Sequence, residues 1–64
     1  MNDTEHDIIA ALQKKPDQTV AQLAERLKLW RATVALRLLM LEGTGKVLSR
    51  ISEPEGARVY WIAD

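Results

Sequence analysis

The side chains of this 64-residue chain with the clearest chemical reach are its nine Lys and Arg, and they are unevenly spaced. Residues 26 to 50 hold six bases (Arg26, Lys28, Arg31, Arg37, Lys46, Arg50) against one acid, Glu42, a local charge of +5. Residues 1 to 25 carry five acids against two bases, or −3. Residues 51 to 64 carry three acids against one base, or −2, so the whole chain is neutral. Attraction to a phosphate backbone follows local charge rather than the total. A basic island can neutralise phosphates, and arginine can also read guanine edges. Lys28, Arg31, Arg37, Lys46, Arg50 and Arg58 are therefore candidate contacts to double-stranded DNA, with Thr33 as a neutral hydrogen-bonding neighbour. For Lys28, Lys46 and Arg50, ordinary solvated surface is the competing reading.

Other chemistry is thinly provided. The absence of cysteine removes disulfides, cysteine-ligated zinc and Fe–S clusters. A lone His6 cannot build a metal site and reads as a solvated residue of a first helical turn. No nucleophile–base pairing, glycine-rich phosphate loop or metal-ligand spacing is present. A chain this short also has little volume for a substrate pocket. No enzyme, cofactor, metal or small-molecule ligand is expected. Asp3, Glu5 and Asp7 stand where a secretory leader would be basic. No apolar run approaches the ~20 residues that span a bilayer. A cytoplasmic protein with no membrane partner is expected.

Four periodic segments must position these residues. Thr4 to Lys14 reads as a helix, with Thr4 as cap, Glu5 and Asp7 in the first turn, Ile8, Ile9 and Leu12 on one face, and Pro16 as the stop. Thr19 and Gln22 form a capping box for a second helix, whose Val20, Leu23, Ala24 and Leu27 follow core-facing spacing. A tight turn at Lys28-Leu29-Trp30 leads to a third helix over about Arg31 to Glu42, with Val34, Leu38 and Leu41 inward and Gly43 and Gly45 ending it. Val47 to Ile51 and Arg58 to Ile62 read as strands of a hairpin around the turn-rich Ser52 to Gly56. Adjacent strand residues face opposite ways, so only one ring of Tyr60-Trp61 should reach the core. The expected architecture is a single α+β, mostly α domain over residues 1 to 64. It is a winged helix-turn-helix of three helices followed by a two-stranded β-hairpin wing.

The stretch Thr19 to Leu27, then Leu38-Leu39-Met40-Leu41-Glu42, then Gly45-Lys46-Val47 resembles winged-helix bacterial transcription regulators. Among these, the small FaeA-like regulators of pilus operons are similar in length, in the leucine run before Glu42 and in a closing Tyr60-Trp61 pair. The resemblance covers Ile8 to Ile62. It implies a DNA-binding regulator acting alone or beside a larger regulator. The related FeoC-like proteins of ferrous-iron transport carry cysteines in the wing, which this chain lacks. One departure from the pattern is Trp30, which stands where Ser, Thr or Asp often caps the third helix.

The outward arc of the third helix leaves two readings open. At 100° per residue it holds Ala32, Leu36, Leu39, Met40 and Thr33, with Arg31 and Arg37 at the margins. In the first reading the helix enters a major groove. Arg31 and Arg37 then contact phosphate or guanine, and Thr33 or Leu36 touches thymine methyls. In the second, Leu36, Leu39 and Met40, with Trp30, form a protein-contact surface for dimerisation or an adaptor role. A homodimer is compatible with either. Trp30 and Trp61 themselves read first as core or edge packing. Glu53 and Glu55 at the wing tip oppose deep insertion of the wing beside phosphates.

Overall fold

A computed structural model describes residues 4–63. Its elements run α1 (Thr4–Lys14), α2 (Val20–Leu27), α3 (Arg31–Gly43), β1 (Val47–Ser52) and β2 (Ala57–Ile62), a winged helix. In α1 the spacing of Ile8, Ala11 and Leu12 buries one face. Thr4, expected to cap this helix, is itself helical and buried. The far end of α1 is closed by Gln18, which is 2% exposed. Its side-chain amide donates to the Ala11 carbonyl at 3.2 Å, which also accepts from the Lys15 N–H, and to the Lys15 carbonyl at 2.7 Å just past the helix end.

The α1–α2 connection is also stitched to the hairpin. Asp17 and Gln18 donate their backbone N–H to the Tyr60 carbonyl, and Tyr60 N–H donates to the Gln18 carbonyl. Gln18 therefore acts as a one-residue third strand on the edge of β2 away from β1. Asp17 reaches this geometry with φ of 63°, a left-handed conformation that Asp tolerates better than most residues.

The capping box at the start of α2 forms as expected. Thr19 Oγ1 accepts from Gln22 N–H, and Gln22 Oε1 accepts from Thr19 N–H. Lys28 closes α2 in the left-handed conformation, which turns the chain toward α3. Trp30 supplies no side-chain cap to α3, as its side chain dictates. The exit differs from expectation. Gly43 stays helical, and the left-handed residue is Gly45, at φ 81°. Thr44 Oγ1 donates to the Leu41 carbonyl and replaces part of the glycine stop.

The core joins Ile8, Leu12, Leu23, Val34, Leu38, Leu41 and Val47, all essentially inaccessible, with Tyr60 beneath the hairpin. The antiparallel register pairs Val47 with Ile62, Leu48 with Trp61 and Ser49 with Tyr60. Residues opposite each other share a face, so Val47, Tyr60 and Ile62 turn to the helices while Leu48 and Trp61 turn outward. No helix among the described residues is long and apolar enough to cross a membrane. Removing the α2 cap with Thr19→Ala should cost about 1 kcal/mol. In a thermal melt followed by circular dichroism, that lowers Tm by about 4–8 °C with the folded spectrum unchanged.

Candidate nucleic-acid interface

Burying Val34, Leu38 and Leu41 turns the opposite side of α3 to solvent. Leu36, Leu39 and Met40 are 55%, 67% and 46% exposed, as their helical positions require. Trp30 at the helix entry is 82% exposed. This corrects the expectation that its ring packs in the core or at an edge. The extended backbone at position 30 (φ −69°, ψ 141°) leaves the ring outside.

The basic residues divide into free and engaged groups. Lys28 and Arg31 are exposed on either side of the α2–α3 turn, and Lys46 is exposed where β1 begins. Arg31 also borders a shallow groove between α2 and α3 with Gln22, Glu25 and Leu29. Thr33 and Arg37, expected on the outer arc and its margin, are only half exposed. The Arg37 Nε is buried without a hydrogen-bond partner, and Nη1 lies 3.9 Å from the Met40 sulfur. This guanidinium lies along the flank of α3.

Arg50 and Arg58 do not stand free on the wing. Arg50 pairs in register with Val59 on β2, yet its guanidinium lies 3.6 Å from the Asp17 carboxylate. Asp17 sits beyond the other edge of β2, so this exposed pair bridges the strand at the level of the buried Val59. Arg58 Nη1 donates to Ser49 Oγ at 2.9 Å, and Ser49 Oγ donates to Glu42 Oε2 at 2.7 Å. The chain of contacts ties both strands to the last full turn of α3. Tyr60 lies on the same hairpin face. Burial raises its phenol above the ordinary value of 10.0, the Glu42 charge adds to the rise, and Arg58 opposes it.

The structure thus gathers Lys28, Trp30, Arg31, Leu36, Leu39 and Met40 on one presented helix and its entry, with Lys46 at its exit. It withdraws Arg50 and Arg58 into internal contacts. Asp17, Glu42 and Ser49, which hold them, escape a sequence reading because no local periodicity links residues on different elements. The acidic tip carries Glu53 and Glu55, both exposed. Among the described residues, no group of three or more His, Cys, Asp or Glu could hold a metal ion.

A model of the winged helix-turn-helix DNA-binding family matches residues 1–48, from the start of the chain through α3 and into β1. The chain belongs to that family. Several solved winged-helix structures share the fold. A Zalpha domain of PKZ, in complex with ds(CG)6, superposes with a TM-score of 0.90 at 23% identity, covering 100% of both chains. The PcaV transcriptional regulator from Streptomyces coelicolor, with its natural ligand, gives 0.93 at 20% identity over 100% of this chain and 46% of that one. A cysteine-to-serine mutant of Lactococcus lactis ZitR, in complex with DNA, gives 0.86 at 25% identity over 100% of this chain and 44% of that one. This winged helix spans less than half of each of those two regulators. No curated protein matches the chain in sequence.

The Arg50–Asp17 pair makes a direct prediction. Asp17→Asn keeps a residue type suited to the left-handed conformation and releases Arg50. Exposed ion pairs contribute roughly 0–1 kcal/mol, so stability should barely move. Duplex affinity measured by fluorescence anisotropy at low salt should rise a few-fold, and this gain should vanish in the Asp17→Asn, Arg50→Ala double variant.

Proposed function

We propose that this domain is a small transcriptional regulator that binds double-stranded DNA by laying α3 against the duplex. The observation that carries this reading is the geometry of one element. α3 is exposed along its outer side, with Lys28 and Arg31 at its entry and Lys46 at its exit. The N-terminal end of a helix adds its own attraction for phosphate to that of Arg31. A major groove about 12 Å wide admits a helix about 10–12 Å across. Lys28, Arg31 and Lys46 then neutralise phosphates, Thr33 and Arg37 reach base edges from the margin, and Leu36, Leu39 and Met40 meet thymine methyls. Arg50 and Arg58 add less, because Asp17 and Ser49 hold them. The family match supports the reading, as do the PKZ Zalpha domain and the ZitR mutant in their complexes with DNA.

The resemblance to FaeA-like proteins supports a finer assignment, a cytoplasmic regulator of a pilus operon acting alone or beside a larger regulator. Residues 1 to 64 then work as one DNA-binding domain without a catalytic site, cofactor or small-molecule ligand.

Salt titration of duplex binding tests the proposal. Three phosphate contacts give a slope of log K against log salt of roughly −3. Arg31→Ala should weaken binding and flatten the slope by about one, and Arg37→Ala should weaken binding while changing sequence preference more than slope. No duplex binding at low salt and micromolar protein would contradict it.

A further inference from the structure

The outward side of α3 carries a complete second stripe. Ala32, Ala35, Leu36, Leu39, Met40 and Gly43 recur at three- and four-residue steps, and all six are exposed. Apart from the weakly accepting Met40 sulfur, which Arg37 already approaches, none has a hydrogen-bonding side chain, although reading base edges relies mostly on donors and acceptors. The spacing is that of a helix–helix seam. Large side chains occupy its middle, and Ala32 and Gly43 its two ends. Nothing in the fold lies within 4 Å of the position a Gly43 Cβ would take, so the far end is open to close approach.

The charges beside the stripe are arranged for one partner. Arg31 and Glu42 lie on the same flank at opposite ends of α3. At 1.5 Å per residue they are about 16 Å apart along the axis, so they cannot pair within one helix. When two helices pack antiparallel, like flanks face each other and opposite ends meet. Arg31 then meets the partner's Glu42, and the same contact repeats at the other end. Ser49 engages only Oε2 of Glu42, which leaves Oε1 for an incoming guanidinium. A parallel pair would bring Arg31 level with the other flank, where Thr33 and Arg37 lie.

We propose that α3 packs antiparallel against α3 of a second copy of this chain. The apolar stripe is buried and two symmetric Arg31–Glu42 pairs set the register. One helical face, even with the exposed Trp30 beside it, falls near or below the roughly 1,200 Å² typical of stable interfaces, so the dimer is weak and concentration-dependent. The same face lies against duplex in the function proposed above. Self-association and DNA binding therefore compete, a consequence that rests on that function while the dimer itself does not.

Sedimentation velocity from micromolar to millimolar protein, without DNA, tests the dimer. The native chain should shift reversibly from monomer to dimer. Leu39→Glu should abolish the shift, with its circular dichroism unchanged because Leu39 is outside the core. Arg31→Glu and Glu42→Arg should each weaken association about tenfold, and the double exchange in one chain should restore it. A strict monomer at millimolar concentration would overturn the proposal. So would a dimer indifferent to Leu39→Glu, or an exchange that fails to rescue. Adding duplex should dissolve the dimer. A duplex that binds and leaves the dimer intact would overturn the shared use of this face and keep the dimer.

Discussion

Everything functional in this domain depends on the rotation of α3 about its own axis. Val34, Leu38 and Leu41 are buried together, and each contributes about 1.5–3 kcal/mol by leaving water. Turning the helix by one residue in one direction would bring Glu42 inward with Ala35 and Leu39. Turning it the other way would bring Arg37 inward with Thr33 and Met40. Either puts an unpaired charge in an apolar core, at a cost that no added contact there offsets. The flanking charges therefore lock the rotation, and the locked rotation decides which side chains the domain displays.

The second constraint is the attachment of the hairpin. Gln18 and Asp17 hold one edge of β2, and the Arg58–Ser49–Glu42 chain holds the hairpin to the end of α3. The wing is consequently fixed relative to the presented helix, and two of its bases serve that fixing. The +5 charge of residues 26 to 50 overstates what a duplex meets, since Arg50 is paired with Asp17 from outside that stretch. Of the other bases, Lys28, Arg31 and Lys46 mark the two ends of α3, and Arg26 is exposed on α2. An apolar middle with basic ends suits shape-following contact with a nucleic acid backbone and contact with another helix alike.

Much of this was legible in the sequence because it follows from short-range rules. Helical spacing identified the buried Val34, Leu38 and Leu41 and, by the same geometry, the exposed Leu36, Leu39 and Met40. The capping box at Thr19 and the single core-facing ring of the Tyr60-Trp61 pair follow from local chemistry and strand alternation. The misses share one physical origin. The capture of Arg50 by Asp17 and the linking of Arg58 through Ser49 to Glu42 are set by contacts between elements far apart in the chain. Gln18 is the sharpest example. A polar residue in a loop gives no sign that it will be buried, close α1 and pair with β2, until the hairpin has a register.

In the proposed function, α3 and its two basic ends form the face that meets DNA. The most direct measurement is a duplex titration of the ¹⁵N-labelled chain followed by amide chemical shifts in two-dimensional NMR. Shifts should cluster at residues 28 to 40 and at Lys46, with the outer face of α1 unmoved. Shifts concentrated on α1, or at the Glu53–Gly56 tip with α3 silent, would contradict it.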